Sequence, residues 1–269
     1  MSIKYNLIFE SGMYPEKVVN YSLTTTLSKK VDLRTKSNVI YDQGNLGSCT
    51  ANALCYCFVF NDPTYTPSRL FLYYNERVLD HAIPNDDGST LSQGINALIK
   101  YGVCSETNNP YIISNFANKP SSTAYNEGLL HQVISANRVL QTETSMKGCL
   151  NNGKPFVVGI LIYSSFESQR VTNTGYVPMP NTQKEQLLGG HAVTCIGYDD
   201  TKKVWIMKNS WGSRWGDNGY FYLPYNYLLS STLAGDMWQI IKQEVLAPKI
   251  IKIISKINEN AKFLKNYKK

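Results

Sequence analysis

The chain has 269 residues and a net charge of +7, from 27 lysines and arginines against 20 acids. That length gives one or two domains with ample core, and no apolar stretch reaches the length of a membrane span. The first residues also lack the charged-then-apolar layout of a secretory signal, which predicts a reducing compartment: intracellular, or packaged in a virion if the chain is viral.

Residues 1–30 form a leading stretch with no strong helical pattern. Gln43-Gly44-Asn45-Leu46-Gly47-Ser48-Cys49 is a glycine-rich turn that runs straight into an apolar helix, Cys49 to Phe60. Leu70, Tyr74 and Val78 predict a second helix over Pro67–Leu79. Leu91, Ile95, Leu98 and Ile99 predict a third that stops at Gly102. A loop-rich stretch, Asn108 to Tyr125, follows. A short helix ending near Gly153 leads into a strand over Phe156–Ile162. Further strands are expected at His191–Ile196, Val204–Lys208 and Gly219–Leu223. A helical half followed by a sheet half predicts an α+β, two-lobed fold. A cleft between the lobes would bring helix-borne Cys49 against strand-borne His191.

After Pro248 the pattern changes. Ile250, Ile253, Ile254, Ile257, Ala261 and Leu264 recur at helical spacing among lysines. Seven lysines against one acid, Glu259, carry nearly all the net charge, so the body is almost neutral and the basic balance says little about substrate. Lys249–Lys269 reads as a basic amphipathic helix, packed on its own domain or bound to an anionic surface, lipid or nucleic acid.

The chemistry concentrates at Cys49. At the start of a helix, unpaired backbone N–H groups and the positive end of the dipole favour thiolate, the nucleophilic form. A cysteine nucleophile needs a base and the base an orienting partner. His191 lies 142 positions downstream and Asn209 a further 18. His81 and His131 have no such neighbours and read as structural or surface residues. Without Cys49 the other cysteines are Cys55, Cys57, Cys104, Cys149 and Cys195, an odd set that cannot pair completely and reads as buried thiols. Their spacing fits no zinc pattern. No metal or cofactor is expected.

These blocks, with Lys208-Asn209-Ser210-Trp211-Gly212-Ser213-Arg214-Trp215-Gly216-Asp217-Asn218-Gly219-Tyr220, resemble the papain-like cysteine proteases over roughly residues 31–244. The resemblance is to a divergent, cathepsin-like branch such as prokaryotes and giant DNA viruses carry. It implies a papain-like fold and peptide-bond hydrolysis through a thioester, with Cys49 as nucleophile, His191 as its base (as an imidazolium–thiolate pair) and Asn209 orienting the imidazole. Gln43 would supply an oxyanion donor beside the Cys49 N–H, and Trp211 would shield the His–Asn hydrogen bond. Val31-Asp32-Leu33-Arg34 resembles the start of a mature domain, which divides the chain into a leader (1–30, a possible short pro-segment), a catalytic domain (31–248) and the tail (249–269). Leu46 and Thr50 stand where the family has a disulfide cysteine and an aromatic, and Asp86-Asp87-Gly88-Ser89-Thr90 replaces its cysteine-rich segment.

Three finer expectations follow. Asn108–Tyr125 holds none of the histidines with which dipeptide-trimming relatives cap the cleft, so internal cleavage is expected. Ala234-Gly235-Asp236-Met237-Trp238 resembles the strand end closing the second substrate pocket, where Asp236 would favour a basic side chain. Self-cleavage after Lys29-Lys30 would then remove the leader. The alternatives are a transamidase or acyltransferase using the same thioester, and a catalytically silent protein binding through its tail.

Overall fold

The computed structural model describes residues 3–9, 18–19, 26–36 and 39–245, with only the backbone for 18–19 and 242–245. The expected basic helix at 249–269 lies outside the described residues.

The helical lobe is built around α1 (Cys49–Asn61), in which every residue from Cys49 to Phe60 is buried. A helix apolar on all sides belongs at the centre of its layer, and α1 sits between the other helices and the sheet. Around it pack α2 (Arg69–Leu79) and α3 (Leu91–Lys100). Both begin on hydroxyl caps: Ser68 accepts from the Phe71 N–H and Thr90 from the Gln93 N–H, satisfying backbone donors that a helix start leaves open. The loop-rich stretch runs into a short helix, α4 (Ser122–Gly128).

The second lobe is a sheet in the order β1 (Val18–Val19), β3 (His131–Val139), β8 (Ala234–Val245), β4 (Phe156–Tyr163), β5 (Leu187–Asp199), β6 (Val204–Lys208) and β7 (Tyr220–Pro224). All neighbours are antiparallel except β1 with β3, and β2 (Lys30–Asp32) pairs with the far end of β5. Three short helices complete it: α5 (Glu143–Asn151), α6 (Gln169–Thr174) and α7 (Tyr225–Leu229). The Thr194 hydroxyl donates to the Ala53 carbonyl at 3.2 Å, fastening α1 to β5.

The expected helices and strands fall within a few residues of their expected ranges; α4, α6, α7, β1 and β2 are additional, and the sheet differs further. β5 starts at Leu187, so Gly189-Gly190 lies inside a strand rather than before it. β3 and the length of β8 are new. His131 opens β3 and stacks on Tyr65 with ring centroids 3.7 Å apart, a packing role.

Candidate active site

Cys49 is the first residue of α1. The side chain of its N-cap, Ser48, leaves the helix donors alone and engages Tyr111 Oη (2.5 Å) and Asn52 Nδ2 (3.0 Å) instead. The N–H groups of Cys49 and Thr50 therefore remain directed at the sulfur, joined across the cleft by the N–H of Ala192. All three favour thiolate. They are outweighed by complete burial, which pushes the Cys49 thiol up to about 12.

His191 lies on β5, one residue before that Ala192. Its Nε2 is 2.8 Å from Asn209 Oδ1. The same oxygen accepts the Ser210 backbone N–H at 2.9 Å, and because a backbone amide can only donate, this fixes which end of the Asn209 amide faces the ring. Nε2 therefore carries the hydrogen, and Nδ1, buried and without a hydrogen-bond partner, keeps its lone pair. Trp211 stacks on the imidazole at 5.0 Å and excludes water from the His–Asn bond. Burial lowers the imidazole to about 4, against the smaller opposing effect of Asn209. In the state described, thiol and imidazole are thus both neutral. The expected ion pair is disfavoured by burial on both sides.

Gln43 is also buried, with both ends of its amide held: Nε2 donates to the Leu46 carbonyl (2.9 Å) and Oε1 accepts from Ser210 Oγ (2.6 Å). That leaves one amide hydrogen for an oxyanion. Thr50 donates to the fully buried Glu76 carboxyl at 2.6 Å, which burial raises to about 8. Lys208 is buried too, its ammonium on the Val39 carbonyl and 4.3 Å from the Tyr56 ring centroid, and loss of water around it pulls it down to about 7.

The cover over this site was not expected. Residues 3–9 of the leader run between the two walls, and Cys49 and His191 are 0% exposed. Leu7 N–H donates to the Gly190 carbonyl (3.0 Å) on one wall, and Ile8 N–H to the Ser89 carbonyl (3.1 Å) on the other. Tyr5 stands edge-on to His191 (6.1 Å) and Trp211 (5.8 Å) and donates to Glu167. Asn6 Nδ2 donates to the Asp86 carbonyl at 2.8 Å, and Lys4 pairs with the Asp86 carboxylate at 2.5 Å. The signal for this lay in the glycines of both walls. A Cβ on Gly88 would fall 1.7 Å from the Asn6 carbonyl oxygen, and one on Gly190 2.5 Å from that of Leu7.

With that geometry in hand, comparison with known proteins is direct. Residues 27–237 match the model of the papain family of cysteine proteases. The chain belongs to that family. It is 44% identical over 221 residues to a peptidase C1-like protein of Acanthamoeba polyphaga mimivirus, covering 77% of this chain and 70% of that one. Peptidase 1 of Euroglyphus maynei is 27% identical over 223 residues, 76% of this chain and 63% of its own length. Among solved structures, xylellain, a cysteine protease from Xylella fastidiosa, superimposes with a TM-score of 0.81 at 34% identity, covering 90% of this chain and 96% of that one. The digestive procathepsin L 3 of Tenebrio molitor shares the fold (TM-score 0.66, 20% identity, 86% and 76% covered).

The papain-family frame places the remaining candidates. None of the six cysteines is in a disulfide. Among the described residues no group of His, Cys, Asp or Glu is arranged to hold a metal, and no helix is long and apolar enough to cross a membrane. Asp236 does line a cavity of about 420 Å³, shared with Phe9, Leu161 and Ala234. Its Oδ1, however, takes the Arg138 guanidinium at 3.1 Å and the Trp238 indole N–H at 2.8 Å. That charge is compensated from within the protein, so the basic preference expected from it loses its physical basis. Lys29-Lys30 is also bound into the sheet, with the Asp200 N–H on the Lys29 carbonyl (2.9 Å) and Lys30 opposite Asp199.

Proposed function

We propose that this papain-family protease is a cysteine endopeptidase whose cleft is closed in the resting chain by its own residues 3–9. When that segment leaves, water returns to the site and the burial that holds the thiol up and the imidazole down is relieved. His191 Nδ1 then takes the Cys49 proton. The sulfur adds to a peptide carbonyl, whose oxygen is received by the Cys49 N–H and the remaining Gln43 amide hydrogen. His191 returns the proton to the leaving amine, giving a thioester that water hydrolyses. Asn209 sets the ring's tautomer throughout and does not react.

The observation that carries this reading is the Ser210 N–H on Asn209 Oδ1, which dictates a base with its lone pair on the nitrogen turned away from Asn209. Internal cleavage is supported by the absence of histidine from Asn108–Tyr125. The test is turnover of a doubly blocked, internally quenched peptide by wild type and by Cys49→Ala, with an added amine to trap transfer. Internal cuts by wild type alone, with no amine adduct, are expected. C-terminal dipeptide release, or adduct as the main product, would refute the proposal.

A further inference from the structure

We propose that Asp86 selects substrates: its carboxylate receives the cationic head of a substrate lysine or arginine close to the scissile bond, in the place Lys4 occupies in the covered chain. The inference rests on reading residues 3–9 as the occupant of the cleft.

The carboxylate is held from three sides. Gly47, two residues before the nucleophile, donates its N–H to Oδ1 at 3.0 Å, and Tyr73 Oη donates to the same oxygen at 2.5 Å. These donors belong to the enzyme body and are neutral, so they orient the group without cancelling its charge. The third partner is the Lys4 ammonium, 2.5 Å from Oδ2. Arg77 is the other cation near enough to feel Asp86, but its guanidinium nitrogens bond the carbonyls of Tyr73, Asn85 and Phe116. Those carbonyls are neutral, so Arg77 keeps a longer-range pull on Asp86; among the described residues the direct ion pair is with Lys4, and it departs with the leader.

What is left is a carboxylate 10% exposed even with the leader in place, fixed beside the loop that carries Cys49. A group so placed gains more from a cation than a surface acid does, because less water competes and its orientation is already set. The contrast with Asp236 is informative. That acid also lines the cleft region, yet its cation, Arg138, is part of β3 and stays. Of these two acids, Asp86 is the one whose cation is borrowed.

The test uses internally quenched peptides in matched sets, with Lys, Gln or Glu scanned through the four positions on each side of the cut. With the wild-type chain, kcat/KM for Lys over Gln should reach about tenfold or more at one position, the range of a hydrogen bond to a charged group. Glu there should be worst. In Asp86→Asn that ratio should fall towards one, and in Asp86→Lys it should reverse in favour of Glu. The ratio is read within each variant, so a general loss of activity does not blur it. No Lys preference at any position in wild type, or a preference unchanged in Asp86→Asn, overturns the proposal whatever the variants do to folding. The parent reading is tested separately by Lys4→Gln. Faster turnover of the Gln peptides supports the cover, and unchanged turnover refutes it without altering the Lys:Gln ratio that judges Asp86.

Discussion

Residues 3–9 and residues 30–32 both lie against β5, and they are attached to it by different physics. The second segment is a ladder: Lys30, Val31 and Asp32 pair in register with Asp199, Tyr198 and Gly197, and the flanking Ser28 and Leu33 bond Tyr198 Oη and the Ile196 carbonyl. The first has one backbone bond to β5, at Gly190, and one to Ser89 across the cleft. Its remaining hold comes from the side chains of Lys4, Tyr5, Asn6 and Leu7. Ladders open cooperatively at a cost near that of the sheet, whereas point contacts open locally. One N-terminal stretch is thus laddered into the fold, and the other is the one proposed to leave the cleft.

The sharpest way to break this contrast is to ask what the active enzyme removes. Cys49→Ala should lose turnover by about 10⁴-fold or more, as loss of a nucleophile does. If the enzyme trims itself, N-terminal sequencing of wild type should find a new terminus upstream of Ser28, with Cys49→Ala left intact. A terminus at Val31 would mean that the ladder is as easily opened as the cover.

Two glycines of β5 test the same contrast at single positions. A Cβ on Gly197 would meet the Val31 carbonyl oxygen at 2.2 Å, and one on Gly190 that of Leu7 at 2.5 Å. Gly197→Ala should cost about 1–3 kcal/mol and lower the melting temperature. Gly190→Ala should leave the melting temperature within a few degrees and dislodge the cover, exposing Cys49 to small thiol reagents. Equal destabilisation by both would erase the distinction.

The covered dyad should also be chemically quiet. Its thiol stays protonated below about 12 and its imidazole neutral above about 4, so iodoacetamide should modify Cys49 slowly throughout that window. Opening the cover with Gly190→Ala lowers the first value and raises the second. Alkylation at pH 7 should then quicken by about tenfold, which mass spectrometry of Cys49 would follow.

The smallest effect should come from Lys30→Ala. Its ion pair with Asp199 spans 3.2 Å, but the lysine side chain is 56% exposed, so water screens it. Chemical denaturation should show a change below about 1 kcal/mol, because the ladder is held by backbone.

Most of the frame was legible from local pattern. α2 and α3 show helical spacing of apolar residues, while α1, β4, β6 and β7 read as short apolar runs bounded by turn signals. β3 was not legible because it is half-exposed along most of its length, so burial imposes no clean alternation. β8 opens on Ala234-Gly235-Asp236, the last at φ 54°, a stretch that reads only as a strand end, so the strand's full length to Val245 was not legible. Cys49, His191, Asn209 and Gln43 could be named as candidates because the proposed chemistry constrains both type and spacing. The cover was not: Lys4-Tyr5-Asn6-Leu7-Ile8-Phe9 has no pattern of its own, and its partner Asp86 lies 82 positions away. Asp86 took its meaning only from what sits on it.

Asn209, Ser210 and Trp211 are consecutive, and each grips a different part of the candidate site: the imidazole by its Nε2, the Gln43 amide by its oxygen, and the face of the imidazole ring. The orientation of the imidazole, of the Gln43 amide and of the indole over the ring is thus set by one short piece of backbone, so a single disturbance there reaches all three.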